Sequence, residues 1–192
     1  MEATYYFDPA CPFTWRTSRW LVGVAAERDV TVHWRAFSLT ILSGGNAPEE
    51  YRSMMAAASR ALRLVEALAA DQRNAEAGAF YTELGTRTHD AGVPLSDDIV
   101  AASAEAAGLE DVKAILDDPS WDEAVRASHE KAFASAGPDI GSPVLWIEGA
   151  PRAVHGPILS EVPDHPEALA IWDAVVPLAH SGTFFELKRG RG

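Results

Sequence analysis

The stretch Tyr5-Tyr6-Phe7-Asp8-Pro9-Ala10-Cys11-Pro12-Phe13-Thr14-Trp15 holds the only cysteine in a chain of 192 residues. An apolar run of β-formers meets a proline-containing turn, and the cysteine stands where a helix begins. Pro12 suits the first helical position, because its φ is already helical and its missing N–H would have no partner there. Cys11 is therefore expected at or next to the N-cap, where backbone N–H groups and the positive end of the helix dipole favour thiolate over thiol. The flanking pattern fits this placement. Thr4 to Phe7 reads as a short strand. Pro12 to about Arg28 reads as a helix with Trp15, Trp20, Leu21 and Val24 on its apolar side, ended by Asp29. Val30 to Leu39 reads as a second strand. Strand, helix and strand in this order make a βαβ unit with parallel strands.

After Ser43-Gly44-Gly45-Asn46 the character changes to helix. An alanine-rich helical run covers Glu49 to Asn74, with room for one interruption, and a further helix covers Phe80 to His89. Ser96 is expected to cap a helix closed by Gly108. Ser120-Trp121-Asp122-Glu123 has capping-box spacing and opens a helix towards Ala136. Strand character returns at Val144-Leu145-Trp146-Ile147, followed by a turn and a partner strand over Arg152 to His155. Asp164 is placed to cap a last helix, with Leu169, Trp172 and Val176 on one side and Pro177 expected to kink or end it. The expected organisation is an α/β domain over residues 1–45 and 137–192, with an inserted helical subdomain over 46–136.

A chain of this length buries roughly 70% of its extended-chain surface, enough for one sizeable core. The formal net charge of −12 argues against nucleic acid or an anionic membrane as a partner. A single cysteine excludes an internal disulfide framework and a Cys-rich zinc site, and the scattered histidines have no metal-ligand spacing. No segment approaches the ~20 apolar residues of a membrane span, so a cytoplasmic protein is expected; its expected partner is a small-molecule substrate, with monomer and homodimer both open.

The order βαβ, helical block, hairpin, helix resembles the thioredoxin fold with a helical insertion, the arrangement of the DsbA family. Phe7-Asp8-Pro9-Ala10-Cys11-Pro12-Phe13 followed by Trp15 is similar to the FDPxCPWCW start of actinobacterial DsbA-like enzymes, above all the mycothiol-dependent nitroreductases. Thr17-Ser18-Arg19-Trp20, Ser38-Leu39, Thr88-His89, Gly156-Pro157-Ile158-Leu159-Ser160 and Phe184-Phe185-Glu186-Leu187-Lys188-Arg189 resemble the same group. The resemblance implies that Cys11 is a reactive thiol and that Pro143, after Ser142, is the cis-proline facing it. It further implies a substrate- or thiol-binding surface of Pro12, Phe13, Trp15, Tyr51, His89, Ser142, Pro143 and His155. Mycothiol or another low-molecular-weight thiol would be the co-substrate.

The chain departs from that pattern at Thr14, where the family has a second cysteine. A dithiol enzyme releases its mixed-disulfide intermediate by attack of the resolving thiol, and here no internal nucleophile exists for that step. Thr14 is instead a candidate hydroxyl donor to the Cys11 thiolate. Three readings stay open: a one-thiol oxidoreductase resolved by a small thiol, a thiol-mediated cis–trans isomerase or thiol transferase acting on an electron-poor alkene, and a thioredoxin-fold binding module without catalysis. The second reading expects a deep apolar pocket to which Phe13, Trp15, Met54 and Met55 contribute.

Overall fold

The computed structural model describes residues 1–190 and is built on a four-stranded sheet in the order β2-β1-β3-β4. β1 (Glu2–Phe7) and β2 (Thr31–Ala36) are parallel, with Tyr5 opposite Trp34. The crossover between them is α1 (Pro12–Arg28), which buries Trp15, Trp20, Leu21 and Val24 as the helical period requires. β3 (Val144–Ile147) runs antiparallel to β1, and β4 (Val154–His155) closes the sheet as a hairpin with β3. The helices between β2 and β3 are α2 (Leu39–Leu42), α3 (Arg52–Ala70), α4 (Asn74–Gly85), α5 (Asp97–Ala106), α6 (Lys113–Asp117) and α7 (Trp121–Ala136). The last helix, α8 (His165–Ala179), packs on α1: the Trp20 and Trp172 rings lie 5.9 Å apart, and Trp20 Nε1 donates to Ala168 O at 2.9 Å.

The inserted helices share one apolar core with the sheet, in which Tyr5, Phe7, Trp15 and Trp34 meet Leu64, Leu68, Phe80 and Tyr81. Tyr81 of α4 stacks on Phe7 at 3.9 Å and meets Trp15 and Trp34 edge-on at 5.5 and 5.8 Å. Rings of this size each hide ~150–250 Å2, or roughly 4–6 kcal/mol at about 25 cal/mol/Å2. Glu66 of α3, buried, accepts from both Arg35 (3.2 and 2.5 Å) and the Ala36 amide (2.7 Å), which fixes the end of β2 to the insertion.

Several boundaries differ from the sequence expectations. Strand β2 ends at Ala36, because Ser38 turns the chain and caps α2 by accepting from the Ile41 amide. The break between α3 and α4 falls at Gln72, a non-glycine residue at φ 60°, so no glycine or proline marks it. Ser96 and Asp164 cap their helices as expected. Ser120 does not: its own φ and ψ are helical, its side chain makes no cap, and Asp118 Oδ1 accepts from its amide instead. Pro177 lies inside α8 without ending it at that residue, since the helix runs on to Ala179.

Two glycines test the packing. A Cβ at Gly85 would lie 2.1 Å from two ring carbons of Trp15, whereas one at Gly23 in α1 would meet nothing within 4 Å. In chemical denaturation, Gly85→Ala is expected to lose about 1–3 kcal/mol through displacement of the Trp15 ring. Gly23→Ala is expected to gain about 0.5–1 kcal/mol from helix propensity.

Candidate functional site

The site is assembled where β1 runs out. Asp8 Oδ1 accepts from the Ala10 amide at 2.9 Å, the Asx turn by which aspartate reverses a chain, and the Cys11 amide donates to Asp8 O at 3.1 Å. The reversal delivers Cys11 as the N-cap of α1, with extended backbone (φ −90°, ψ 115°) and Pro12 at the first helical position. The Trp15 amide then makes the first helical bond, to Cys11 O at 3.1 Å. The Cys11 side chain makes no cap of its own. Its half-buried sulfur donates to Ser142 O at 3.8 Å.

Ser142 precedes Pro143 through a cis peptide bond and reaches the cysteine turn with both its backbone and its side chain. Its Oγ accepts from the Asp8 amide at 3.0 Å and shares a 2.8 Å hydrogen bond with Thr14 Oγ1. The next loop holds this one in place. The Gly156 amide donates to Pro143 O (2.9 Å), and Thr17 Oγ1 of α1 donates to Pro157 O (2.8 Å). The Gly156–Pro157 bond is also cis.

Thr14 therefore does something other than the donation to sulfur read from the sequence. It is fully buried, its backbone carbonyl accepts from Tyr5 Oη at 2.7 Å, and its hydroxyl pairs with Ser142. Position 14 is a clamp between α1 and the loop that faces the sulfur. Trp15 also differs from the expected binding surface: it is 3% exposed and wedged into the core. The Arg19 guanidinium lies 4.1 Å over its ring, and its Nε1 donates to Asp90 Oδ1 at 2.7 Å.

His89 stands on the π turn (Thr86–Asp90) that continues α4, half-buried, and its ring stacks near Trp15 at 6.0 Å. Its Nε2 is 2.8 Å from Pro9 O, so Nε2 carries the proton and Nδ1 is the acceptor face. Burial pushes the imidazole below its usual value, against the opposing pull of the Pro9 carbonyl and of Asp90. The π turn places adjacent residues on the two sides of the cysteine loop, His89 on Pro9 and Asp90 on Trp15.

Pro12 and Phe13 lie at the surface beside Cys11, with Arg16 stacked 5.4 Å from the Phe13 ring. His155 pairs with Val144 across the hairpin and lies next to Gly141 at the start of the facing loop. Tyr51 is 48% exposed on the turn before α3, and among the described residues no hydrogen bond or ring contact ties its side chain to the cysteine turn. Nor does any group of three His, Cys, Asp or Glu among the described residues lie close enough to hold a metal ion.

Asp8 is the residue that sequence reading missed. It is 2% exposed, and its Oδ2 accepts from the Leu39 amide at 2.7 Å. Two amide donors favour the carboxylate, yet burial outweighs them and raises the group to about 6. Asp8-Pro9 looks like an ordinary surface turn, and only the fold reveals that α2 covers it.

Replacing Thr14 by Val removes one buried hydrogen bond and is expected to cost about 1–2 kcal/mol in denaturation. Because the hydroxyl serves Ser142 and not the sulfur, the iodoacetamide alkylation rate of Cys11 in that variant is expected to stay within about threefold of wild type. A fall of tenfold or more would reinstate Thr14 as a donor to the sulfur.

The chain is similar to 2-hydroxychromene-2-carboxylate isomerase, with a TM-score of 0.61, 15% identity, and 92% of this chain and 95% of that chain covered. It is similar to the cytosolic disulfide reductase DsbM from Pseudomonas aeruginosa, with a TM-score of 0.56, 16% identity, and 93% of this chain and 100% of that chain covered. At these identities the likeness establishes the fold, a DsbA-like thioredoxin fold. In sequence it is 33% identical to the uncharacterized protein Rv2286c of Mycobacterium tuberculosis, over 96% of this chain and 80% of the relative. The family described as Rv2466c-like, mycothiol-dependent nitroreductase Rv2466c, matches residues 10–189. The chain that folds around this single cysteine belongs to the Rv2466c-like family.

Proposed function

We propose that the protein is a one-thiol oxidoreductase in which Cys11 works with a low-molecular-weight thiol, mycothiol or a close equivalent, on a small-molecule substrate. One observation carries this reading. Cys11 Sγ faces the Ser142–Pro143 loop, while the position of a second thiol is filled by Thr14, buried and hydrogen-bonded to Ser142. The family membership supports a low-molecular-weight thiol as the co-substrate.

The chemistry balances with one cysteine. The Cys11 thiolate attacks one sulfur of a disulfide R–S–S–R′. The old S–S bond breaks, R′S⁻ leaves and takes a proton, and Cys11–S–S–R remains. A free thiol molecule then attacks the sulfur of R, forms a new disulfide and returns Cys11 as thiolate. The net result is exchange of the small-thiol pool with the substrate, and an external thiol replaces the missing resolving cysteine. In this scheme Phe13 and Pro12 border the approach, and the Ser142–Pro143 backbone lies alongside the incoming thiol.

A second reading is favoured by the same buried Thr14, because it too needs no second thiol. Cys11 or a bound small thiol adds to an electron-poor alkene, the resulting single bond rotates, and elimination returns the thiolate with no net redox change.

The two are separated by turnover of mycothiol with a mixed-disulfide substrate and, separately, with an electron-poor alkene, followed by chromatography as conversion of mycothiol to its disulfide. The oxidoreductase reading expects one mycothiol to pass into a disulfide for each substrate thiol released, and Cys11→Ser to lose at least about 100-fold. Isomerisation with no thiol consumed would transfer the site to the second reading. Thr14→Cys is a gain-of-function check. In wild type the Cys11 mixed disulfide is expected to persist until free thiol is added. In the variant it should discharge alone, by forming an intramolecular disulfide between Cys11 and the introduced thiol.

A further inference from the structure

We propose that Asp8 is a positioning residue that ties the Cys11 turn, the Ser142–Pro143 loop and the start of α2 into one rigid unit, and so sets the alignment of the Cys11 sulfur with an incoming disulfide. This rests on the reading of Cys11 as the reacting thiol.

The geometry is specific. All four polar atoms that Asp8 offers are engaged. Its N–H donates to Ser142 Oγ (3.0 Å), its C=O accepts from Cys11 (3.1 Å), Oδ1 accepts from Ala10 (2.9 Å) and Oδ2 accepts from Leu39 (2.7 Å). These partners come from three chain segments, separated by 134 residues from Asp8 to Ser142 and 31 from Asp8 to Leu39. An Asx turn alone needs only the bond to Ala10 and would leave the carboxylate in water. Burial of this one, with no ion pair to it among the described residues, carries a desolvation cost that a simple turn does not require. The two amide hydrogen bonds to the carboxylate offset part of that cost, and the result is a fixed relation between the sulfur and the carbonyl it faces at Ser142.

The titratable groups around Asp8 are few. Cys11 lies on its own turn and Tyr81 of α4 lies within its electrostatic reach. His89 of the π turn binds the neighbouring Pro9 carbonyl, and His129 of α7 accepts from the Ser38 amide beside Leu39. Burial pushes both imidazoles down from their usual value. As the carboxyl loses its proton near pH 6, both oxygens become full acceptors for the two amides. Because burial holds the proton on more firmly than water would, ionisation strengthens the two amide bonds but adds the desolvation cost, so the unit is most stable below that value and loses stability as pH rises through it.

Two measurements on the full chain test this, with 2,2′-dithiodipyridine as the disulfide probe so that the result does not depend on mycothiol. First, 1H–15N spectra of wild type across the acid-to-neutral range are expected to show the Ala10 and Leu39 amides titrating together with one midpoint near 6. Second, the wild-type rate of disulfide exchange at Cys11 is expected to show an inflection at the same midpoint. Asp8→Asn, which offers one acceptor oxygen to two amide donors, is expected to remove that inflection and slow exchange about 10–100-fold. Iodoacetamide alkylation, which needs no in-line sulfur geometry, should change by less than about threefold. Separate titration of the two amides, or a folded Asp8→Asn variant with the wild-type exchange rate and pH profile, would overturn the proposal. If Asp8→Asn does not fold, the wild-type co-titration and the matching inflection decide alone. Failure of mycothiol turnover with these results intact would remove the assigned co-substrate and leave Asp8 in its role.

Discussion

Ser142 is the point on which the site depends. Its carbonyl faces the Cys11 sulfur, and its hydroxyl joins the Asp8 amide to the Thr14 hydroxyl. The residue is buried, and the two groups its hydroxyl joins lie 134 and 128 positions away along the chain. Register does the long-range work. β1 pairs with β3 from Ala3 opposite Ile147 to Tyr6 opposite Val144, so the residues just beyond each strand end, Asp8 and Ser142, arrive side by side. A slip of one residue in that pairing would turn every side chain to the other face and separate the sulfur from its loop.

The helical insertion then bears on the same turn from the other side. Tyr81 stacks on Phe7, Asp90 holds the Trp15 indole and His89 binds Pro9. Trp15 is the hinge of this arrangement: cation–π, aromatic and hydrogen-bonding contacts all converge on a ring that belongs to the cysteine helix. The insertion is thus part of the scaffold that fixes where α1 begins, and it shares the core of the sheet instead of standing apart from it.

What could be read from the sequence divides along a physical line. Local signals were legible. Strand β1, the Pro12 start of α1 and its apolar face, the caps at Ser96 and Asp164, and the exit of the chain into β3 all follow from periodicity and terminus chemistry carried within a few residues. The position of Cys11 at a helix start followed from Pro12, and that of Ser142–Pro143 opposite it was legible through family resemblance. Properties set by distant partners were not. Thr14 reads as a neighbour of the sulfur, but its hydroxyl direction is decided by Ser142, 128 positions away. Asp8 reads as an exposed turn residue, and its burial is decided by α2. Trp15 reads as core from the helical period and as a binding-surface ring from the resemblance, and the close approach of α4 at Gly85 decides for core. The break at Gln72 carries no glycine because its left-handed backbone sits on an ordinary residue.

In this reading the fold presents one thiol for exchange with a small thiol and has replaced the second with a structural clamp. The most direct measurement is intact mass of the wild-type protein after incubation with one equivalent of mycothiol disulfide, before any reductant is added. A single mycothiol adduct, located at Cys11 by peptide mapping, is the expected result. No adduct on a folded protein whose Cys11 is readily alkylated by iodoacetamide would contradict it.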